Sequence, residues 1–132
     1  MAKITPYLYS ANAREQAGFY ARALDGEIVS LQTFADMPGN RPEDRDRVMH
    51  LVLQAAGVTF FLADAGPVER GNGLDLTLEF ETEDAARQAF DRLAEGGRVL
   101  MPFERMFWGS LFGRLTDPFG VRWQIATAPG GQ

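Results

Sequence analysis

His50 is the only histidine in this 132-residue chain, and it sits in the apolar run "RVMHLVL" at Arg47–Leu53. An imidazole there could act as a general base near neutral pH, hold a metal, or simply hydrogen-bond a neighbouring strand, so His50 is the one candidate catalytic group. A second polar set follows from the two-residue alternation of an extended segment. Leu74, Leu76, Leu78 and Phe80 alternate with Asp75, Thr77 and Glu79, which puts Asp75 and Glu79 on one face. Paired carboxylates serve acid–base chemistry or bind a cation, whereas a Glu79 at the rim would only be solvated. Arg122 shares a face with Gln124, where it could balance Asp75, hold a substrate anion, or lie on the surface as an ordinary charge. Tyr7 and Tyr9 likewise set two phenols on one side of the first extended segment.

The elements that must position these groups are readable in order. Ile4–Tyr9 is rich in β-branched and aromatic residues and reads as a strand, with Pro6 marking an edge or an irregular start. Asn12 followed three residues later by Glu15 has the form of a helix start, and Ala13, Ala17, Tyr20, Ala21 and Leu24 recur at helical spacing up to Gly26. Glu27–Phe34 is the next strand. "ADMPGNRPEDRDR" at Ala35–Arg47 is an exposed loop, either a cover or a solvated connector. Val48–Gln54 and Val58–Ala63 form a hairpin around Ala55-Ala56-Gly57. If that hairpin pairs Leu53 with Val58, His50 lies directly across from Phe61.

The order then repeats. A strand at Leu74–Phe80 precedes a helix capped by Thr82 and running to about Glu95, and Gly96-Gly97 leads into a strand at Arg98–Phe103. The stretch "FWGSLFGRLTDPFGVRWQIA" supplies the last hairpin, with Asp117-Pro118-Phe119-Gly120 as a type I turn. At an offset of 71, Phe19 falls on Phe90, Gly26 on Gly97 and Ile28 on Val99. At an offset of 63, Val52 falls on Leu115, Gly57 on Gly120 and Phe61 on Gln124. The expected fold is α+β in a single domain: two βαβββ modules, about residues 2–64 and 74–128, joined by a linker at 65–73. Each module lays one helix over a curved four-stranded mixed sheet, and the free sheet faces are expected to enclose a shared cavity. Trp123, Phe60 and Leu62 fall on the helix side and read as core. Gly113 coincides with His50 at the offset of 63, and a glycine across from Gln124 would leave room for a ligand or for the neighbouring unit, or mark a plain bulge.

Composition narrows the partners. Thirteen Lys and Arg against 18 Asp and Glu give a net charge of −5 with no basic stripe, which argues against nucleic acid. With no cysteine there are neither disulfides nor thiolate metal sites. No apolar run approaches membrane-spanning length and no leader pattern opens the chain, so a cytoplasmic protein with no membrane partner is expected.

"ITPYLY" at Ile4–Tyr9, "FY" at Phe19-Tyr20, "RVMHLVL", "LAEGG" at Leu93–Gly97 and "FWGSLFGRLTDPFGVRW" at Phe107–Trp123 together resemble the vicinal oxygen chelate superfamily. This superfamily of glyoxalases, bleomycin-resistance proteins and dioxygenases includes a PhnB-like branch, which is the most similar. The resemblance covers nearly the whole chain and implies a divalent metal held by the first and fourth strands of each module, at Thr5, Phe61, Asp75 and Gln124. That set is poor in donors, since Phe61 has none and Thr5 and Gln124 offer only neutral oxygens. No cofactor is therefore expected. The alternative is a divalent metal recruited by His50 with Asp75 or Gln124, serving a lyase, isomerase or dioxygenase-type enzyme.

The expected function is binding of a small organic ligand without the usual metal centre. The ligand-binding cavity would be lined by Thr5, Tyr7, Tyr9, His50 and Phe61 from the first module. Asp75, Arg122 and Gln124 would line it from the second, with Phe103 in the loop before the seventh strand and Trp108 near that strand's mouth. An acidic chain suits a basic ligand. The resemblance also implies a homodimer.

Overall fold

A computed structural model describes residues 1–128, and the chain divides into two compact units between Val68 and Glu69. In the first unit β1 (Tyr7–Ser10) leads to α1 (Ala13–Ala23), then β2 (Glu27–Thr33), β3 (Val48–Ala55) and β4 (Val58–Asp64). In the second, β5 (Leu76–Phe80) leads to α2 (Glu83–Ala94), then β6 (Arg98–Arg105), β7 (Leu111–Thr116) and β8 (Arg122–Thr127). Both sheets are open and mixed, in the orders β1-β4-β3-β2 and β5-β8-β7-β6. The first and fourth strands of each unit run parallel, and the other neighbours are antiparallel. The α+β class and the βαβββ order thus stand as expected from the sequence. Each unit puts its helix on one face of its sheet.

Local chemistry explains the helix starts. The Asn12 side chain accepts from the Glu15 amide at 3.1 Å and donates to the Glu15 carboxylate at 3.3 Å, while Thr82 accepts from the Ala85 amide at 3.2 Å. Asp64, at the end of β4, adds a tie between elements, accepting from the Ala13 and Val48 amides, each at 2.7 Å. The paired glycines behind the helices are there for lack of room. A Cβ on Gly26 would overlap the Gln54 carbonyl and Ala55, and one on Gly97 would overlap the Thr116 carbonyl.

Under α1 the core holds Tyr20, Leu51, Leu53, Phe60 and Leu62, and under α2 it holds Phe90, Leu93, Leu115, Trp123 and Ile125. Each buried Leu, Ile or Phe contributes on the order of 1.5–3 kcal/mol. The 34–47 loop contains two short 3-10 turns, at Phe34–Asp36 and Pro42–Asp44. Its base is closed by hydrogen bonds from Phe34 to Arg47 and from Ala35 to Arg45.

The hairpins of the two units differ by one residue. Val52 faces Phe61 and Arg114 faces Gln124, so β7 is offset from β3 by 62 residues while β8 is offset from β4 by 63. The β3–β4 connection is a two-residue turn in which Ala56 and Gly57 both have positive φ. The β7–β8 connection is a longer loop organised by Asp117, which is only 2% exposed. Its backbone pairs with Val121 and Gly120, and its Oδ1 accepts from the Phe119 and Val121 amides at 2.8 and 3.1 Å. Its Oδ2 accepts from the Trp123 indole at 2.8 Å.

Asp117→Ala would remove the carboxylate acceptor of three donors, two of them buried, and we predict a loss of about 2–4 kcal/mol of unfolding free energy, read by urea denaturation. Asp117→Asn, which keeps acceptors for part of the set, should lose less. If both variants unfold with the wild type, the turn is not held by this carboxylate.

Candidate functional site

On the face of the first sheet opposite α1, alternation brings Tyr7, Tyr9, His50 and Phe61 together. Tyr7 is registered with Phe61 across the parallel β1/β4 pair. Their rings lie 5.9 Å apart, with Tyr7–Tyr9 at 5.2 Å and His50–Phe61 at 4.8 Å. His50 is not directly opposite Phe61, because Ala55, rather than Leu53, pairs with Val58 and Val52 takes that position. The two-residue slip keeps His50 on the same face, so the rings still touch. The Tyr7 hydroxyl is 3.2 Å from His50 Nδ1. Burial, with the neighbouring Tyr9, raises the Tyr7 phenol above its ordinary value, so the hydroxyl keeps its proton at neutral pH. Thr5 is half-buried and precedes β1.

The corresponding face of the second sheet is ionic. Asp75, just before β5, receives Arg122 Nε on Oδ1 at 2.8 Å and Arg114 Nε on Oδ2 at 3.0 Å. Gln124 Nε2 adds a third bond to Oδ2 at 3.2 Å, and its Oε1 accepts from the Thr77 hydroxyl at 3.1 Å. Asp75 retains 13% of its side-chain exposure, and Arg114 and Arg122 retain 25% and 23%. Burial by itself pushes the Asp75 carboxyl up. The bonds from Arg122, Arg114 and Gln124, with the Arg114 charge, outweigh it and hold the group below the ordinary aspartate value of 3.8. These four side chains, with Asn72, Gly73 and Leu74, line an open cavity of about 330 Å³. Glu79, in β5, is exposed.

Two expected lining positions turn out differently. Phe103 belongs to β6, not to a loop, and register shifts in that strand turn its ring toward α2. It lies 5.5 Å from the Phe90 ring, with the Arg87 guanidinium 5.1 Å from its centre. Gly113 pairs with Ile125, not Gln124, and an added Cβ would sit 2.7 Å from Phe90 and 2.8 Å from Phe103. It is small to let these aromatics pack beneath the helix, not to admit a ligand. Trp108 lies in the turn between β6 and β7, 56% exposed, against Phe107 and Phe112.

Arg114 is the site residue that sequence reasoning missed. Its signal was the alternation of Leu111, Gly113 and Leu115, all buried, which leaves Arg114 on the opposite face with Gln124.

Metal chemistry fits this arrangement poorly. Both Asp75 oxygens already accept from cations or an amide, Gln124 is engaged through both amide atoms, and Phe61 carries no donor. Among the described residues no three His, Cys, Asp or Glu side chains are grouped as a metal site.

The family model of the Glyoxalase/Bleomycin resistance protein/Dioxygenase superfamily matches residues 4–125, and the chain belongs to that superfamily. It is similar to protein PA1353 from Pseudomonas aeruginosa, at 32% identity and a TM-score of 0.83, covering 96% of this chain and 98% of that one. It is also similar to a PhnB protein from Bacillus cereus described as a putative 3-demethylubiquinone-9 3-methyltransferase. That likeness is 30% identity and a TM-score of 0.77, over 96% and 100% of the two chains. Protein YjdN of Escherichia coli K12 is 27% identical over 92% of each chain. PhnB-like proteins therefore stand among the relatives, as the sequence motifs led us to expect.

The lowered Asp75 value fixes a pH dependence. Its folded pKa lies below the unfolded one, so its stabilisation is fully present above the unfolded value and is lost as pH falls through the folded value. Asp75→Asn should cost about 1–2 kcal/mol at neutral pH, discounted for partial exposure, and should flatten the acid limb of the stability curve. Urea unfolding at neutral pH and again below the ordinary aspartate value measures both. Parallel curves for wild type and variant across that range would show that Asp75 makes no such contribution.

Proposed function

We propose that this protein is a small-molecule-binding, PhnB-like member of its superfamily that works without the superfamily's usual metal centre. The observation that carries this reading is the state of Asp75. The one strong donor in the implied metal set is committed to two guanidinium groups and an amide. A carboxylate so engaged would have to give up charge-assisted hydrogen bonds before binding a divalent cation. What the two units offer instead is recognition. The first has an aromatic face of Tyr7, Tyr9, His50 and Phe61, and the second has the open ionic cavity around Asp75. Among the described residues no helix is long and apolar enough to cross a membrane. A cytoplasmic homodimer is part of the same proposal, supported by the superfamily likeness.

Metal analysis of purified protein, after incubation with zinc, nickel, manganese and iron and then dialysis, separates this reading from the enzyme that recruits a metal through His50. Wild type, His50→Ala and Asp75→Asn should all retain the same negligible metal. Stoichiometric metal in the wild type that is lost in either variant would overturn the binding-protein reading in favour of the metal-dependent lyase, isomerase or dioxygenase type.

A further inference from the structure

The net charge of the chain is −5, yet the cavity beside Asp75 is locally positive. Two guanidinium groups share one carboxylate there, which leaves one positive charge uncompensated within the cluster. Arg122 hydrogen-bonds Asp75 through Nε alone, and Arg114 reaches it through Nε and Nη2. Both Nη groups of Arg122 and Nη1 of Arg114 therefore make no hydrogen bond to protein among the described residues. Both side chains keep about a quarter of their surface open. Asp75 does the positioning. By fixing each guanidinium at its Nε edge it orders two otherwise flexible side chains before any ligand arrives, which lowers the entropic cost of binding.

We infer that this cavity is an oxyanion anchor, taking an organic ligand through a singly charged group such as a carboxylate or a monoanionic phosphonate. Resting on the small-molecule-binding reading above, this names its ligand class, and it reverses the expectation that an acidic chain prefers a basic ligand. The single uncompensated charge matches a monoanion. Guanidinium N–H groups pair with such oxygens in charge-assisted hydrogen bonds. Leu74, 74% exposed on the cavity wall, offers apolar surface for the body of the molecule. The same geometry shows how the site manages without a divalent cation: Arg114 and Arg122 supply the positive charge beside Asp75.

The test is a titration of isotopically labelled full-length protein with benzoate, phenylphosphonate and neutral benzamide, followed by NMR at the arginine Nε–H signals and the backbone amides of 72–75. Either anion should shift these signals saturably, and the tighter of the two names the oxyanion. Benzamide should leave them in place. Arg122→Gln should weaken the anion about tenfold or more, and Arg122→Lys should recover only part of that loss, since it restores the charge without the fork. The wild-type comparison of benzoate with benzamide needs no variant to fold. Equal shifts from benzoate and benzamide would overturn the anchor, as would full affinity in Arg122→Gln. Saturable binding confined to other signals would overturn the anchor and leave the small-molecule-binding reading standing.

Discussion

The buried carboxylate of Asp117 sets the register on which the ionic site depends. It gathers the Phe119 and Val121 amides and the Trp123 indole into one turn, and so fixes how β7 meets β8. From that register Arg114 falls opposite Gln124, and Arg122 lies two residues earlier on the same face. A slip of one residue would send Arg114 beneath α2 and bring Leu115 out, exchanging a buried leucine for a buried charge. The charged cluster around Asp75 is thus a consequence of a turn some residues away.

Duplication supplied two backbones of one design and two faces of opposite character. The pair Tyr7–Phe61 in the first unit occupies the place of Thr77–Gln124 in the second. One pair is built for aromatic contact, and the other hydrogen-bonds a carboxylate network. The same strand order therefore hosts an aromatic face in one unit and an ion cluster in the other. Superfamily membership alone does not predict either, because fold and site are separable. Arg114 and Arg122 both hydrogen-bond the Asp75 carboxylate, so its oxygens are already committed to guanidinium groups.

Much of this was legible in the sequence. Asn12 and Thr82 announced the helix starts through their capping chemistry, and Gly26 and Gly97 marked where each helix gives way to the next strand. Alternation placed Arg122 with Gln124 and Tyr7 with Tyr9, the resemblance set Asp75 beside Gln124, and the motifs named the superfamily. Two physical details were not legible. A single offset of 63 hid the extra residue in the β7–β8 loop, which moved Gly113 to the helix side and concealed Arg114. Register shifts in β6 turned Phe103 inward, and bulges leave no reliable trace in a hydrophobic pattern. Net charge averages over the whole surface, so it does not describe the Asp75 cavity, where two arginines converge.

Asp75 is an ionised carboxylate clamped by both guanidinium groups. Carbon-13 NMR of the Asp75 carboxyl through an acid titration tests it most directly. The midpoint should lie below the ordinary aspartate value in the wild type and move upward in Arg114→Gln and again in Arg122→Gln. A wild-type midpoint at or above the ordinary value, unmoved by either substitution, would contradict it.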